Sequence, residues 1–127
     1  MSYTTAGMSE DYRISDIMIC AMSRLIKDKE TVFHGVSSHM PMLAVMLAKA
    51  LHAPEAVHLN IPGGVDPKPN MLQKYTSAGA ELLEHSVSYF PLAEVCDLSI
   101  RGKLDVAFLS GIQCDIKGNV NASVIGD

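Results

Sequence analysis

Two short runs rich in β-branched and apolar residues, 31–36 and 56–61, flank the polar stretch Ser37-Ser38-His39 and an almost wholly apolar segment, 41–51. That segment carries one charge, Lys49, and reads as a helix opened by Pro41. A helix with so little polar surface must be covered on most sides, as a crossover helix is when it packs on a sheet. The order strand, loop, helix, strand therefore predicts a right-handed βαβ unit with parallel pairing.

The alternation continues in both directions. From Ser9, with Glu10 and Asp11 suited to a helix start, Ile14, Ile17, Met18, Ala21, Met22 and Leu25 recur at helical spacing, which predicts an amphipathic helix with one buried face. Residues 62–70 are too rich in Pro and Gly for regular structure, and they follow a strand's carboxyl end, where open α/β sheets bind ligands. A short helix is expected over 76–85, a strand over 86–89, and a helix over 91–100 ended by Arg101 and Gly102. A strong strand over 104–109 precedes a hairpin, whose arms 112–114 and 120–125 flank Asp115-Ile116-Lys117-Gly118-Asn119. Gly118 and Asn119 are expected to supply the positive φ of the reversal. The predicted fold class is α/β: one domain over 1–127 with an open, mostly parallel sheet and helices on both faces.

Composition narrows the function. With 48% hydrophobic residues, 127 residues suffice for one buried core. Ten basic residues against 14 acidic ones, a net charge of -4 and no Lys/Arg cluster leave no footprint for nucleic acid. No apolar run approaches the roughly 20 residues of a membrane span. Three widely spaced cysteines without a C-x-x-C pair, and a polar stretch 1–11, fit a reducing cytoplasm. Cys20 and Cys96 read as buried small hydrophobes, and neither a dinucleotide fingerprint nor a P-loop occurs.

Ser88-Tyr89-Phe90, and then Ile100-Arg101-Gly102-Lys103-Leu104-Asp105 running on to Leu109-Ser110-Gly111-Ile112-Gln113, resemble the signature of coenzyme A transferase family I β subunits. Asp115-Ile116-Lys117-Gly118-Asn119-Val120-Asn121 is similar to the D-x-x-G-N-x-N turn of the glutaconate CoA-transferase branch and of related ring-cleaving hydrolases. The resemblance runs from about Ile17 on. It implies a three-layer CoA-transferase-like fold, with the chain as the N-terminal half of a β subunit. It also implies coenzyme A as substrate rather than bound cofactor, an acyl-CoA and a carboxylic acid as ligands, and an α subunit as partner in a hetero-oligomer.

The family's G-x-G-x-P loop falls on Ser37-Ser38-His39-Met40-Pro41, with Ser37 and His39 at the two glycines. Its catalytic glutamate, which attacks the thioester and passes through an anhydride to a glutamyl-CoA thioester, falls on Ile61 in an ungapped match, and on Asn60 or Pro62 after a shift of one. No catalytic residue is therefore assigned within the chain, and no metal ligand. The resemblance implies ligand contacts at Ser37, Ser38, His39, Asn60, Gly63, Gly64, Gln113 and Asn121.

Each of these residues has a plainer role beside the functional one. Ser37, Ser38 and His39 precede a helix N-terminus whose free N–H groups can hold an oxyanion or phosphate, or form an ordinary cap. His39 has the pKa of a general base or is a polar loop residue. Gly63 and Gly64 admit a pantetheine arm or simply make a turn. Asn119 and Asn121 serve the hairpin in either case. His34 and His58 sit in strands and, with His52 and His85, lack zinc spacing, so they read as satisfied structural histidines. Three functions remain: CoA transfer between acids, acyl-CoA hydrolysis with the carboxylate on a partner subunit, and a structural role without catalysis. A sugar-phosphate isomerase or deaminase on the same fold is a fourth, opposed by the 101–121 motifs.

Overall fold

A computed structural model describes residues 12–72, 76–121 and 123–126. The expected helix start at Ser9, Glu10 and Asp11 and the polar stretch 1–11 lie outside the described residues. The elements in chain order are α1 (Ile14–Ser23), β1 (Thr31–His34), α2 (His39–Leu51), β2 (Val57–Leu59), β3 (Gly64–Val65), a 3-10 turn (Ala80–Leu83), β4 (Ser88–Tyr89), α3 (Ala93–Ile100), β5 (Val106–Phe108), β6 (Gln113–Cys114) and β7 (Val120–Asn121).

Five strands form the main sheet in the order β4-β3-β2-β1-β5. β1 pairs in parallel with β2 and β5, so Val32 lies beside His58 on one side and Val106 on the other. β3 is antiparallel to β2, and β4 to β3, so four of the five strands run one way.

The period-two alternation of a strand assigns the layers. Val32 faces α2 and packs with Ile26, Val45, Ala48, Ala53 and Ala56, while Phe33 faces the other way and packs with Leu59 and with Val95 of α3. Helices thus cover both faces, as expected, and α1 packs on α2 as an outer element. Val32 and Val45 are fully buried, and each contributes roughly 1.5–3 kcal/mol.

Several expectations need correction. The stretch 62–70 is not wholly irregular, because Gly64–Val65 pairs with β2 as an edge strand. Of 76–85, only Ala80–Leu83 is helical, and as a 3-10 turn. α2 begins two residues before Pro41, which sits in the first turn where its missing N–H costs nothing. The apolar face of α1 is not buried within this chain, since Ile14, Ile17, Met18 and Leu25 are all exposed. Cys20 and Cys96 are likewise exposed rather than buried. Gly102 ends α3 with φ +64, and Gly118 takes φ +85 in the hairpin as expected. Asn119 acts through its side chain instead, donating to Asp115 Oδ2 at 2.7 Å. Among the described residues no helix is long and apolar enough to cross a membrane.

Candidate functional site

The chain leaves β1 for β2 on one side and returns to β5 on the other, so the strand order reverses between β1 and β5. A crevice opens at the carboxyl ends of strands at such a switch point, because the loops there diverge to opposite faces of the sheet. Gly35 N–H still pairs with Phe108 O at 3.0 Å, and beyond it the backbone turns sharply.

Ser37 makes that turn with φ +54, a left-handed conformation that favours glycine. This explains why the resembling loop carries glycine here. Ser38 is buried; its N–H donates to Ser77 Oγ at 2.7 Å and its hydroxyl to Val36 O at 3.0 Å. Its hydroxyl therefore does not cap α2, and the N–H groups of His39 and Met40 at the helix start have no partner within the helix. These donors, with the positive end of α2 behind them, can hold an anionic oxygen. Beside them, His39 presents an Nε2 that is enclosed and unpartnered.

Asn60 ends β2 fully buried, and its amide is spent inside the fold. Oδ1 accepts from Gly64 N–H at 2.9 Å and Nδ2 donates to Leu82 O at 2.9 Å. Gly63, at φ +94, has no room for a side chain because a Cβ would strike Phe90 O, and one on Gly64 would strike Leu82 O and Ser86 Oγ. The close approach these glycines permit is to the protein's own backbone. Ile61 packs against the Phe33, Leu59 and Val95 cluster.

The loops after β1 and β2 therefore lie on one edge of the sheet, and the segment from Ser77 to Leu82 ties them together through Ser38 and Asn60. Reasoning from sequence missed this segment. Its signal was weak, a run of small residues, Ser77-Ala78-Gly79-Ala80, ahead of Glu81. Gln113 and Asn121 stand apart from this edge. They face each other across the β6–β7 hairpin, with Asn121 Nδ2 donating to Gln113 Oε1 at 2.6 Å and to Val124 O at 2.7 Å. The hairpin is a separate two-stranded sheet with a shallow depression of about 310 Å³ on its surface.

Behind the edge, on the α2 side, lie two histidines. The rings of His34 and His58 are 5.1 Å apart at their centroids, both are almost fully buried, and neither Nε2 has a partner. They are structural, as expected, but not satisfied. Burial pushes the His58 pKa down to about 3, helped by His34 and by Lys49, whose ammonium pairs with Asp66 at 2.7 Å. Burial also lowers that of His34, against the pull of Gly35 O. Neither imidazole carries charge near neutral pH. Among the described residues no group of three or more His, Cys, Asp or Glu is placed to hold a metal ion.

No family model matches the chain. It is 32% identical over 117 residues to the β subunit of a 3-oxoadipate CoA-transferase from Pseudomonas knackmussii, covering 91% of this chain and 44% of the relative. The decarboxylase AibA/AibB superposes with a TM-score of 0.82 at 27% identity, over 91% of this chain and 48% of that one. Glutaconate coenzyme A-transferase from Acidaminococcus fermentans gives 0.75 at 24% identity, over 92% and 46%, and shows the fold alone. The chain thus spans about half the length of the relatives it matches. Its 101–121 motifs, its sheet order and its likeness to the 3-oxoadipate enzyme's β subunit put the chain in coenzyme A transferase family I, as part of a β subunit.

Proposed function

We propose that this chain belongs to an enzyme that transfers coenzyme A between carboxylic acids, working with an α subunit that completes the acyl site. The observation that carries the proposal is the convergence of two loops, 35–39 and 60–64, on one sheet edge in a chain related to a CoA-transferase β subunit. In this reading Ser37, Ser38 and His39 offer backbone N–H groups and an imidazole to the thioester carbonyl or a phosphate. Asn60, Gly63 and Gly64 fix the opposite wall, and Gln113 and Asn121 approach from the hairpin. Coenzyme A is substrate, not resident cofactor. The exposed apolar residues of α1 and of 109–125, among them Ile17, Leu109, Ile112 and Ile116, support a hetero-oligomer, since a lone chain would leave them in water.

Ile61 favours a second reading. An isoleucine packed in the core cannot attack a thioester, so a carboxylate supplied by the partner subunit would suit an acyl-CoA hydrolase, or leave this chain a purely structural role. Co-expression with the neighbouring α subunit and an assay of CoA release from acyl-CoAs separates the readings. Release that requires an acceptor acid supports transfer, release without one supports hydrolysis, and no thioester chemistry supports the structural role.

A further inference from the structure

We infer that Glu81 is the carboxylate of this site, the group that takes the acyl moiety from the thioester. The inference rests on the acyl-CoA reading above and adds to it the residue that Ile61 cannot be.

Among the described acidic residues Glu81 alone is buried, at 8% exposure, and its Oε2 is enclosed without a hydrogen-bond partner. A carboxylate removed from water and left unpaired is costly to a fold, and such groups gather where a ligand supplies the missing donor or where the group itself reacts. A carboxylate at a helix start ordinarily accepts from a first-turn N–H, but this Oε2 does not.

The position is specific. The carboxylate occupies the space that a side chain on Gly79 would take, for a Cβ there would overlap its carboxyl carbon and both oxygens. Gly79 has extended backbone, φ -78 and ψ 161, which any residue adopts, so the glycine supplies room rather than a special conformation. Ser77, which holds the loop after β1, precedes this pair, and Leu82, which holds the loop after β2, follows it. The acid therefore belongs to the segment that joins both walls of the proposed site.

In the step, a Glu81 oxygen adds to the thioester carbonyl carbon, the C–S bond breaks, and coenzyme A leaves as thiolate with the bonding pair, giving an acyl-glutamyl anhydride. The thiolate then attacks the Glu81 carbonyl carbon and expels the donor acid as its carboxylate, leaving a glutamyl thioester. An acceptor carboxylate reverses both steps, and no proton is gained or lost overall.

The test uses the full-length protein assembled with its α subunit. Wild type, E81Q and G79A are assayed for CoA release, then incubated with acyl-CoA, treated with hydroxylamine and mapped by mass spectrometry. The expected results are a loss of about 10⁴-fold or more in E81Q and of about 10²-fold in G79A, whose methyl displaces only the end of a flexible side chain and leaves the fold intact. A hydroxamate on Glu81 is expected in wild type alone. Thioester chemistry that survives in E81Q, or wild-type turnover with no mark on Glu81, overturns the inference while the acyl-CoA reading stands. A wild-type assembly with no thioester chemistry overturns that reading and this inference with it.

Discussion

His58 makes the fold sensitive to acid in a way that can be calculated. In the unfolded chain its imidazole titrates near 6.5; in the fold, burial beside His34 and the Lys49–Asp66 pair lowers this to about 3. Above pH 6.5 both states are neutral and the residue contributes no pH dependence. Below it, the unfolded chain binds a proton that the folded chain refuses, so stability falls by about 1.4 kcal/mol per pH unit until the folded value is reached. At pH 5 the loss from His58 alone is about 2 kcal/mol, a large share of the stability of a domain this size. Replacing His58 by Leu removes the titration and, because Nε2 has no partner, breaks no side-chain hydrogen bond. Urea unfolding followed by circular dichroism at pH 8 and pH 5 should show wild type losing about 2 kcal/mol more than H58L over that interval. Equal losses would refute the reasoning, since they would mean that the folded imidazole takes up its proton as readily as the unfolded one.

Further outcomes follow from single residues. Asn60→Ala strands the Gly64 N–H and the Leu82 carbonyl in the interior, so urea midpoints should fall by the equivalent of roughly 2–4 kcal/mol. Gly63→Ala combines φ +94 with a collision against Phe90 O, and thermal melting should show a loss of at least about 2 kcal/mol. Ser37→Gly relieves a left-handed serine, for a gain of about 0.5–1 kcal/mol after the glycine's extra unfolded entropy is subtracted. Asp115 accepts from Asn119 and Lys117, which holds its carboxyl below the ordinary value, so an NMR titration should place it under 3.8, and Asn119→Ala should bring it back up.

The sequence disclosed the layers more clearly than the site. Opposite faces of β1 carry Val32 and Phe33, and α2 has one charge, so parallel pairing beneath a covered helix followed from period and hydropathy alone. Gly102 and Gly118 were legible because each ends an element at a positive φ. The α1 face was misread because periodicity shows that a face is apolar without showing what covers it, and this chain leaves Ile14 and Ile17 in water. The exposure of Cys20 and Cys96 was missed for the same reason. β3 was hidden because two residues, one of them glycine, carry no alternation to detect.

The site was legible in its loops and obscure in what joins them. Pro41 and the polar residues before it marked the loop after β1, and the glycines marked the loop after β2, but a hydroxyl accepting one buried N–H from 39 positions away leaves no local pattern. The join explains why Asn60 carries an amide. A strand that ends at a loop needing both an acceptor for Gly64 N–H and a donor for Leu82 O can meet both with one side chain only if that side chain has an oxygen and a nitrogen on the same carbon. Aspartate would offer two acceptors and face the Leu82 carbonyl with a charge. The residue next to the position of the family's glutamate is thus fixed by the fold's own hydrogen bonding, which leaves the chemistry to a carboxylate elsewhere on the same edge.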